Sequence, residues 1–254
     1  MVLIVGAGLF ALSGSNDDNA AVPTTAPLSS TTVAQSLTES GLPAPKPKAA
    51  LVSCTYAAGT GPADKPVTKP ERIEVPTTGA AAAVNMSMRT SAGSIGLALK
   101  QAESPCTVNS FTSLVQQRYF DGTSCHRITT GAGLKVLQCG DPTGTGMGGP
   151  GYQFANEYPT DHFPVGDPSA QLPVDYKRGV LAMANAGPDT NGSQFFLVFG
   201  DSQLPPQYTI FGTVDAEGLA TLDKIAASGS DETNGPGDGK PKVPVEIESI
   251  QLGS

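Results

Sequence analysis

Two apolar runs, Val180–Ala184 and Phe195–Phe199, flank a polar insert, Asn185–Ser193, that is rich in glycine, proline and asparagine. This layout constrains the chain more than any other stretch. An apolar segment, a turn-rich insert and a second apolar segment read as two strands joined by a shaped surface loop. Loops held on a rigid sheet are where binding groups tend to sit. The insert contains no obvious nucleophile and no metal cage. It offers a shelf of backbone amides, the side chains of Asn185 and Gln194, and an aromatic wall at Phe196.

The remaining pattern is mostly β. Val84, Met86 and Met88 alternate, Ser91–Gly93 turns, and Ile95, Leu97 and Leu99 alternate again, which predicts a hairpin with one buried face. Ser104 and Pro105 have the form of an N-cap and first helical residue, and Val108, Phe111, Leu114 and Val115 follow at helical spacing to about Gln117. A second helix is predicted after Asp215, with Leu219, Leu222, Ile225 and Ala226 on one face. The last strand carries Val243, Val245 and Ile247, then changes phase to Ile250 and Leu252, as at a bulge. Many short strands and two helices predict a closed or sandwiched antiparallel sheet with helices over its open ends.

Ahead of this core the chain changes character. Residues 1–13 are almost wholly apolar, yet too short for the about 20 residues a spanning helix needs, so they read as part of a membrane anchor or an export signal. Residues 14–48 are dense in Ser, Thr, Ala and Pro and read as a flexible linker. Residues 49–83, broken by Pro62, Pro66, Pro70 and Pro76, read as an extension wrapped on the domain, with 84–254 as the domain itself. A net charge of −8 gives no basic footprint, which argues against nucleic acid as a partner.

The four cysteines, Cys54, Cys106, Cys125 and Cys139, lack CxxC spacing, so a zinc site is not expected. Four cysteines allow three pairings. Cys125 and Cys139 flank a predicted hairpin with its tip near Thr130–Gly133, where they would face each other; Cys54 would then join Cys106. Disulfides, an apolar start and a polar tether together predict a domain held outside the cytoplasmic membrane.

Three motifs carry a resemblance. MANAGPDTNGSQFF (Met183–Phe196), CHRIT (Cys125–Thr129) and VLQCGDPTGTGMGGPGY (Val136–Tyr152) resemble the signature, the arginine strand and the glycine-rich loop of bacterial cyclophilin-type peptidyl-prolyl isomerases. The resemblance runs in order from about Val84 to Leu252. It implies an eight-stranded antiparallel barrel capped by two helices. It further implies a monomer that needs no cofactor or metal and acts on proline-containing peptides and unfolded proteins. By the same resemblance Arg127 is the catalytic residue. Val136, Phe196 and Leu204 wall the proline pocket, with Met183 on the strand beneath and Tyr208 at the pocket edge. Gln138 orients Arg127 or holds the substrate carbonyl, while Ala184, Asn185 and Ala186 form a backbone clamp beside Gln194. Gly144 falls in the glycine-rich loop. Two positions depart from the family pattern: Lys135 stands near a usual pocket phenylalanine, and Gln203 falls where many eukaryotic members carry the tryptophan that holds cyclosporin.

Rotating an X-Pro bond twists a partial double bond through a barrier of about 20 kcal/mol and makes or cuts no bond, so no nucleophile is required. Twisting leaves a basic lone pair on the proline nitrogen, and a fixed cationic donor aimed there favours the twisted state selectively. The glycine-rich stretch Gly144–Gly151 lacks the Lys-Ser/Thr ending of a phosphate loop. His126, His162 and Ser193 lack a nucleophile-elbow context, and strand alternation points His126 away from Arg127. The rival from a different class is a proline-motif binding module with little turnover, kept open by Lys135 and Gln203. A general holdase is a third, separable by whether activity depends on proline.

Overall fold

The computed structural model describes residues 41–79 and 84–253. The apolar start at 1–13, the linker to residue 40 and the Ala80–Ala83 connector lie outside the described residues.

The extension carries three short strands, β1 (Leu51–Ser53), β2 (Ala57–Ala58) and β3 (Glu74–Pro76). The domain then runs β4 (Val84–Thr90), β5 (Gly93–Leu99), α1 (Pro105–Gln116), β6 (Thr123–Ser124), β7 (Arg127–Thr129), β8 (Lys135–Cys139) and β9 (Tyr152–Gln153). It continues β10 (Val174–Tyr176), β11 (Val180–Met183), β12 (Phe195–Gly200), β13 (Ser202–Leu204), β14 (Ile210–Val214), α2 (Ala216–Ala227), β15 (Asp238–Gly239) and β16 (Glu246–Leu252). Ten strands form one antiparallel sheet in the order β15-β7-β8-β12-β11-β14-β5-β4-β16-β6. Without the two-residue end strands β15 and β6, eight remain, the number the resemblance implies.

Chain connectivity forces the sheet to curl. Ser124 ends β6 at one margin of the order, and Arg127 begins β7 next to the other margin. Only Cys125 and His126 separate them, so the two margins must meet. This corrects the arginine strand expected over Cys125–Thr129: only Arg127–Thr129 is strand, and the residues before it cross from β6 at the opposite end of the sheet order. Cys125 spans the seam, its N–H donating to Val245 O at 2.8 Å.

Period-two alternation sorts the apolar runs into two clusters. Ile128, Leu137, Leu181, Met183, Phe195, Leu197 and Phe211 face the interior, packed with Phe111 and Leu114 of α1 and Leu222 and Ile225 of α2. Val136, Ala182, Phe196, Val198 and Ile210 face the other way and build a second cluster with Tyr158 and Tyr176. Met183 is thus core. The bulge expected in the last strand lies between Ile247 and Ser249, and Val243 is exposed, outside β16.

Both helices begin where their start signals lie, but they are capped differently. Asp215 caps α2 through its own side chain, accepting from Gly218 N. Ser104 makes no such bond at α1; its hydroxyl donates to Ile210 O at 2.8 Å. The buried Glu157 carboxylate caps α1 instead, accepting from Cys106 N at 3.0 Å, Thr107 N at 2.8 Å and the Thr107 hydroxyl at 2.7 Å.

Disulfides join Cys54 to Cys106 and Cys125 to Cys139. The linker expected through Lys48 gives way earlier. Leu42 is buried in the second cluster, Tyr158 Oη donates to Pro43 O at 2.9 Å, and Lys48 pairs with Asp161. An apolar Leu-Pro pair has surface to bury, which the Ser/Thr-rich stretch before it lacks. Among the described residues no helix is long and apolar enough to cross a membrane.

Candidate active site

The site forms on the outer face of β7, β8, β12 and β11, where alternation turns Arg127, Val136, Gln138, Phe196 and Ala182 to the same side as the second cluster. Register places Arg127 directly opposite Gln138, and Gln138 opposite Phe196. Residues far apart in sequence therefore become neighbours through the ladder alone.

Arg127 is held from one side by an unanticipated partner. Its Nε donates to Asp238 Oδ1 at 2.8 Å and its Nη2 to Oδ2 at 2.6 Å, a two-pronged pair made possible because β15 lies beside β7. The hydrogen bonds to Asp238 are the largest influence raising Arg127 above its ordinary value, and Arg127 in turn holds the Asp238 carboxyl below the usual range. With that edge committed, Nη1 is turned toward Gln138 Oε1, 3.5 Å away.

Gln138 continues the chain of contacts. Its Nε2 donates to Gln194 Oε1 at 3.0 Å, and Gln194 Nε2 donates to Gly146 O and Gly148 O, both at 3.0 Å. Arg127, Gln138, Gln194 and the glycine-rich loop thus form one polar line. The loop is organised by the buried Asp141, which accepts from Thr143 N at 2.7 Å, Thr145 N at 3.1 Å and Gly146 N at 2.6 Å. Burial works to raise the Asp141 carboxyl, and donors led by Thr143 outweigh it and hold the group low.

The apolar side of the site is the second cluster. Phe196 stacks edge-on against Tyr208 at 5.8 Å, with Val136, Leu204 and Tyr208 packed around it. Beneath them Tyr176 is fully buried and donates through Oη to Tyr208 O at 2.9 Å. Leu134, half-buried, packs against the same cluster, whereas Lys135 is exposed along Gly200. The wall expected to be weakened at Lys135 is therefore supplied one residue earlier.

In the clamp, two N–H groups are already used: Ala184 N donates to Gln194 O at 3.0 Å and Ala186 N to Thr190 Oγ1 at 2.9 Å. The Asn185 side chain shapes the loop, donating to Gln207 O at 2.9 Å and accepting from Gly187 N at 3.2 Å. The backbone N–H and C=O of Asn185 make no hydrogen bond with the described residues, so they are the groups open to an added strand. Gly144 sits in a turn, its N–H donating to Asp141 O at 3.2 Å, and is not brought to the groove.

His126 lies under the glycine-rich loop, near Gly146, with neither ring nitrogen hydrogen-bonded or solvated. Burial is the main influence lowering its pKa, helped by Arg127 and opposed by Asp141. Ser193 donates to Gly140 O at 2.7 Å, a structural bond. Among the described residues no group of His, Cys, Asp and Glu is placed to hold a metal ion. Sequence reading missed Asp238, Tyr176, Leu134 and Glu157. Only Leu134 carried a local signal, as an apolar residue entering the strand after Gly133.

Residues 85–252 match the family model for cyclophilin type peptidyl-prolyl cis-trans isomerase/CLD. The chain is 58% identical over 212 residues to a probable peptidyl-prolyl cis-trans isomerase B of Mycobacterium leprae, covering 83% of this chain and 70% of the relative. It is 38% identical over 188 residues to peptidyl-prolyl cis-trans isomerase A of Mycobacterium tuberculosis, covering 67% of this chain and 93% of that one. A crystal structure of a Cryptosporidium parvum cyclophilin type isomerase in the presence of the dipeptide Ala-Pro aligns with a TM-score of 0.52 at 31% identity. It covers 67% of this chain and 99% of that chain.

Proposed function

The chain belongs to the cyclophilin-type peptidyl-prolyl cis-trans isomerases, and we propose that it turns X-Pro bonds with Arg127 as its electrophile, in proteins folding outside the cytoplasmic membrane. One observation carries the residue assignment. Asp238 engages Nε and Nη2, so Nη1 is the guanidinium nitrogen left toward Gln138, which stands opposite Phe196 in the ladder. A proline ring seated against Phe196, Val136 and Leu134 presents its nitrogen to that group.

In the planar ground state the proline nitrogen lends its lone pair to the carbonyl and accepts poorly. As the bond twists, the lone pair localises and accepts from Nη1, so the interaction grows toward the transition state. Every about 1.4 kcal/mol gained this way is a tenfold rate increase. The open N–H and C=O of Asn185 hold the flanking chain as an added strand, and Gln138 and Gln194 keep the donor and the loop in place. Location outside the membrane is supported by the two disulfides, which persist in oxidising compartments.

The test is protease-coupled isomerisation of an Ala-Pro peptide by the full chain and by Arg127→Ala. A fall in kcat/KM of about 100-fold or more, with peptide binding retained, is expected. Equal, slow rates with binding intact would mean a binding module. A reporter fused after Ser254, active only outside the cytoplasm, tests the location.

A further inference from the structure

The family match begins at residue 85, yet part of the substrate groove is built by residues that precede it. A cavity of about 490 Å³ opens beside the clamp, in the range of about 300–1,000 Å³ typical of ligand sites. Ala184, Asn185, Ala186 and Gln194 line one side, Gly148–Gly151 lie along its floor, and Gly59–Pro62 with Asp64 form the opposite wall. We infer, building on the isomerase reading, that the extension adds a wall of its own to the groove beside the clamp, so that residues 59–64, ahead of the stretch the family model matches, bear on how the polypeptide flanking the proline is held and which clients are preferred.

The wall is built, not draped. Ala57 and Ala58 pair with Gln153 and Tyr152. Gly59 N donates to Gly151 O at 2.9 Å, Asp64 N to Gly149 O at 3.1 Å, and Gly149 N returns to the Asp64 carboxylate at 2.8 Å. The approach is close enough to require glycine: at Gly151, with φ +77°, a Cβ would stand 2.6 Å from Ala63 N. Lys65 pins the far end, donating through Nζ to Arg118 O at 3.1 Å and Asp121 O at 2.7 Å.

Lining chemistry identifies the occupant as peptide. Glycine backbone is prominent with the Thr60 hydroxyl beside it, while the Thr190 hydroxyl is committed to Ala186 and Gly187 and Asp64 to Gly149. Such a surface offers peptide-like donors and acceptors without a strong charge, which suits a main chain carrying small or uncharged side chains. Asn185, whose backbone is open to an added strand, lines this same cavity. Binding energy from these remote residues is then available to hold the reacting bond in place.

Gly61 permits a clean test, because it has no positive φ and nothing lies within 4 Å of a Cβ built there. Gly61→Trp adds a bulky side chain to a residue that lines the cavity, with no packed neighbour to displace. The full chain and the variant are assayed on a minimal blocked Ala-Pro peptide and on one carrying three further residues on each side. The expected result is a wild-type preference for the longer peptide that falls about tenfold in Gly61→Trp. Thr60→Trp, on the same wall, repeats the measurement should Gly61→Trp melt early. An unchanged long-to-short ratio in a folded variant overturns the inference. A wild type inactive on both peptides instead overturns the isomerase reading itself.

Discussion

The two walls of the proposed substrate groove are made in opposite ways. One is sheet: Arg127, Gln138, Phe196 and Val136 stand on β7, β8 and β12, spaced by the ladder and backed by a packed interior. The other is loop and extension: Gly146–Gly151 coiled around Asp141, with Gly59–Asp64 laid along it. Each wall has its own disulfide. Cys125–Cys139 ties the seam just ahead of β7 to the end of β8, the strands that carry Arg127 and Gln138, and Cys54–Cys106 ties the extension to α1. On the proposed function, the difference keeps chemistry on one wall and selectivity on the other. The rotating bond needs a donor fixed to a fraction of an ångström, which a ladder supplies. Client choice needs a surface that can differ between relatives without disturbing the ladder.

Severing the staples one at a time is the harshest way to break the comparison. On the chain-entropy model, Cys54→Ser with Cys106→Ser opens a loop of separation 52 and costs about 4 kcal/mol; Cys125→Ser with Cys139→Ser opens one of 14 and costs about 3 kcal/mol. Denaturant melts measure both. The functional outcomes should diverge: the first pair loses preference for long peptides, while the second lowers kcat on every peptide. Identical kinetic profiles would show that the walls are not separable.

A narrower cut is made at Asp238. Asp238→Ala frees the guanidinium to rotate, and kcat/KM is expected to fall about 10- to 100-fold. Asp238→Asn, which keeps one acceptor oxygen, should fall between. The pair is about a third exposed, so unfolding free energy should change by less than about 1 kcal/mol. In an Arg127→Ala background the Asp238 effect should vanish, because it acts only through the arginine. An effect of full size in that background would place Asp238 in another role.

The same division explains what could be read from the chain. The sheet wall was legible because period-two patterning assigns faces: Phe195 and Phe196 are both apolar, yet only the second can face Val136. The helices were legible from spacing and start signals; Ser104 is the N-cap of α1 by position, while the capping bonds come from a carboxylate 51 residues away from Cys106. Asp238 pairs with a residue 111 positions away on a two-residue strand, too short to carry any pattern. The extension was readable as a proline-broken chain wrapped on the domain through Cys54, but not in its path. Its place is set by backbone-to-backbone bonds such as Gly59 to Gly151, which leave no mark in side-chain periodicity.

The smallest expected effect sits at the junction of the two walls, under the glycine-rich loop. Burial, aided by Arg127, holds His126 below its ordinary pKa, so the folded protein favours the neutral ring. The unfolded chain therefore takes up its proton first as pH falls. This group's contribution to stability is complete above the unfolded value of about 6.5 and is lost progressively as pH falls below it toward the folded value. Between pH 7.0 and 5.5 the loss from one such group is no more than about 1.3 kcal/mol. His126→Gln removes the titration and should flatten that part of the pH profile in denaturant melts. His162, also held low by burial, titrates in both proteins and cancels in the difference. If the variant loses as much stability on acidification as the wild type, then His126 is not held neutral by the junction. The contact between sheet wall and loop wall would then be looser than its burial implies.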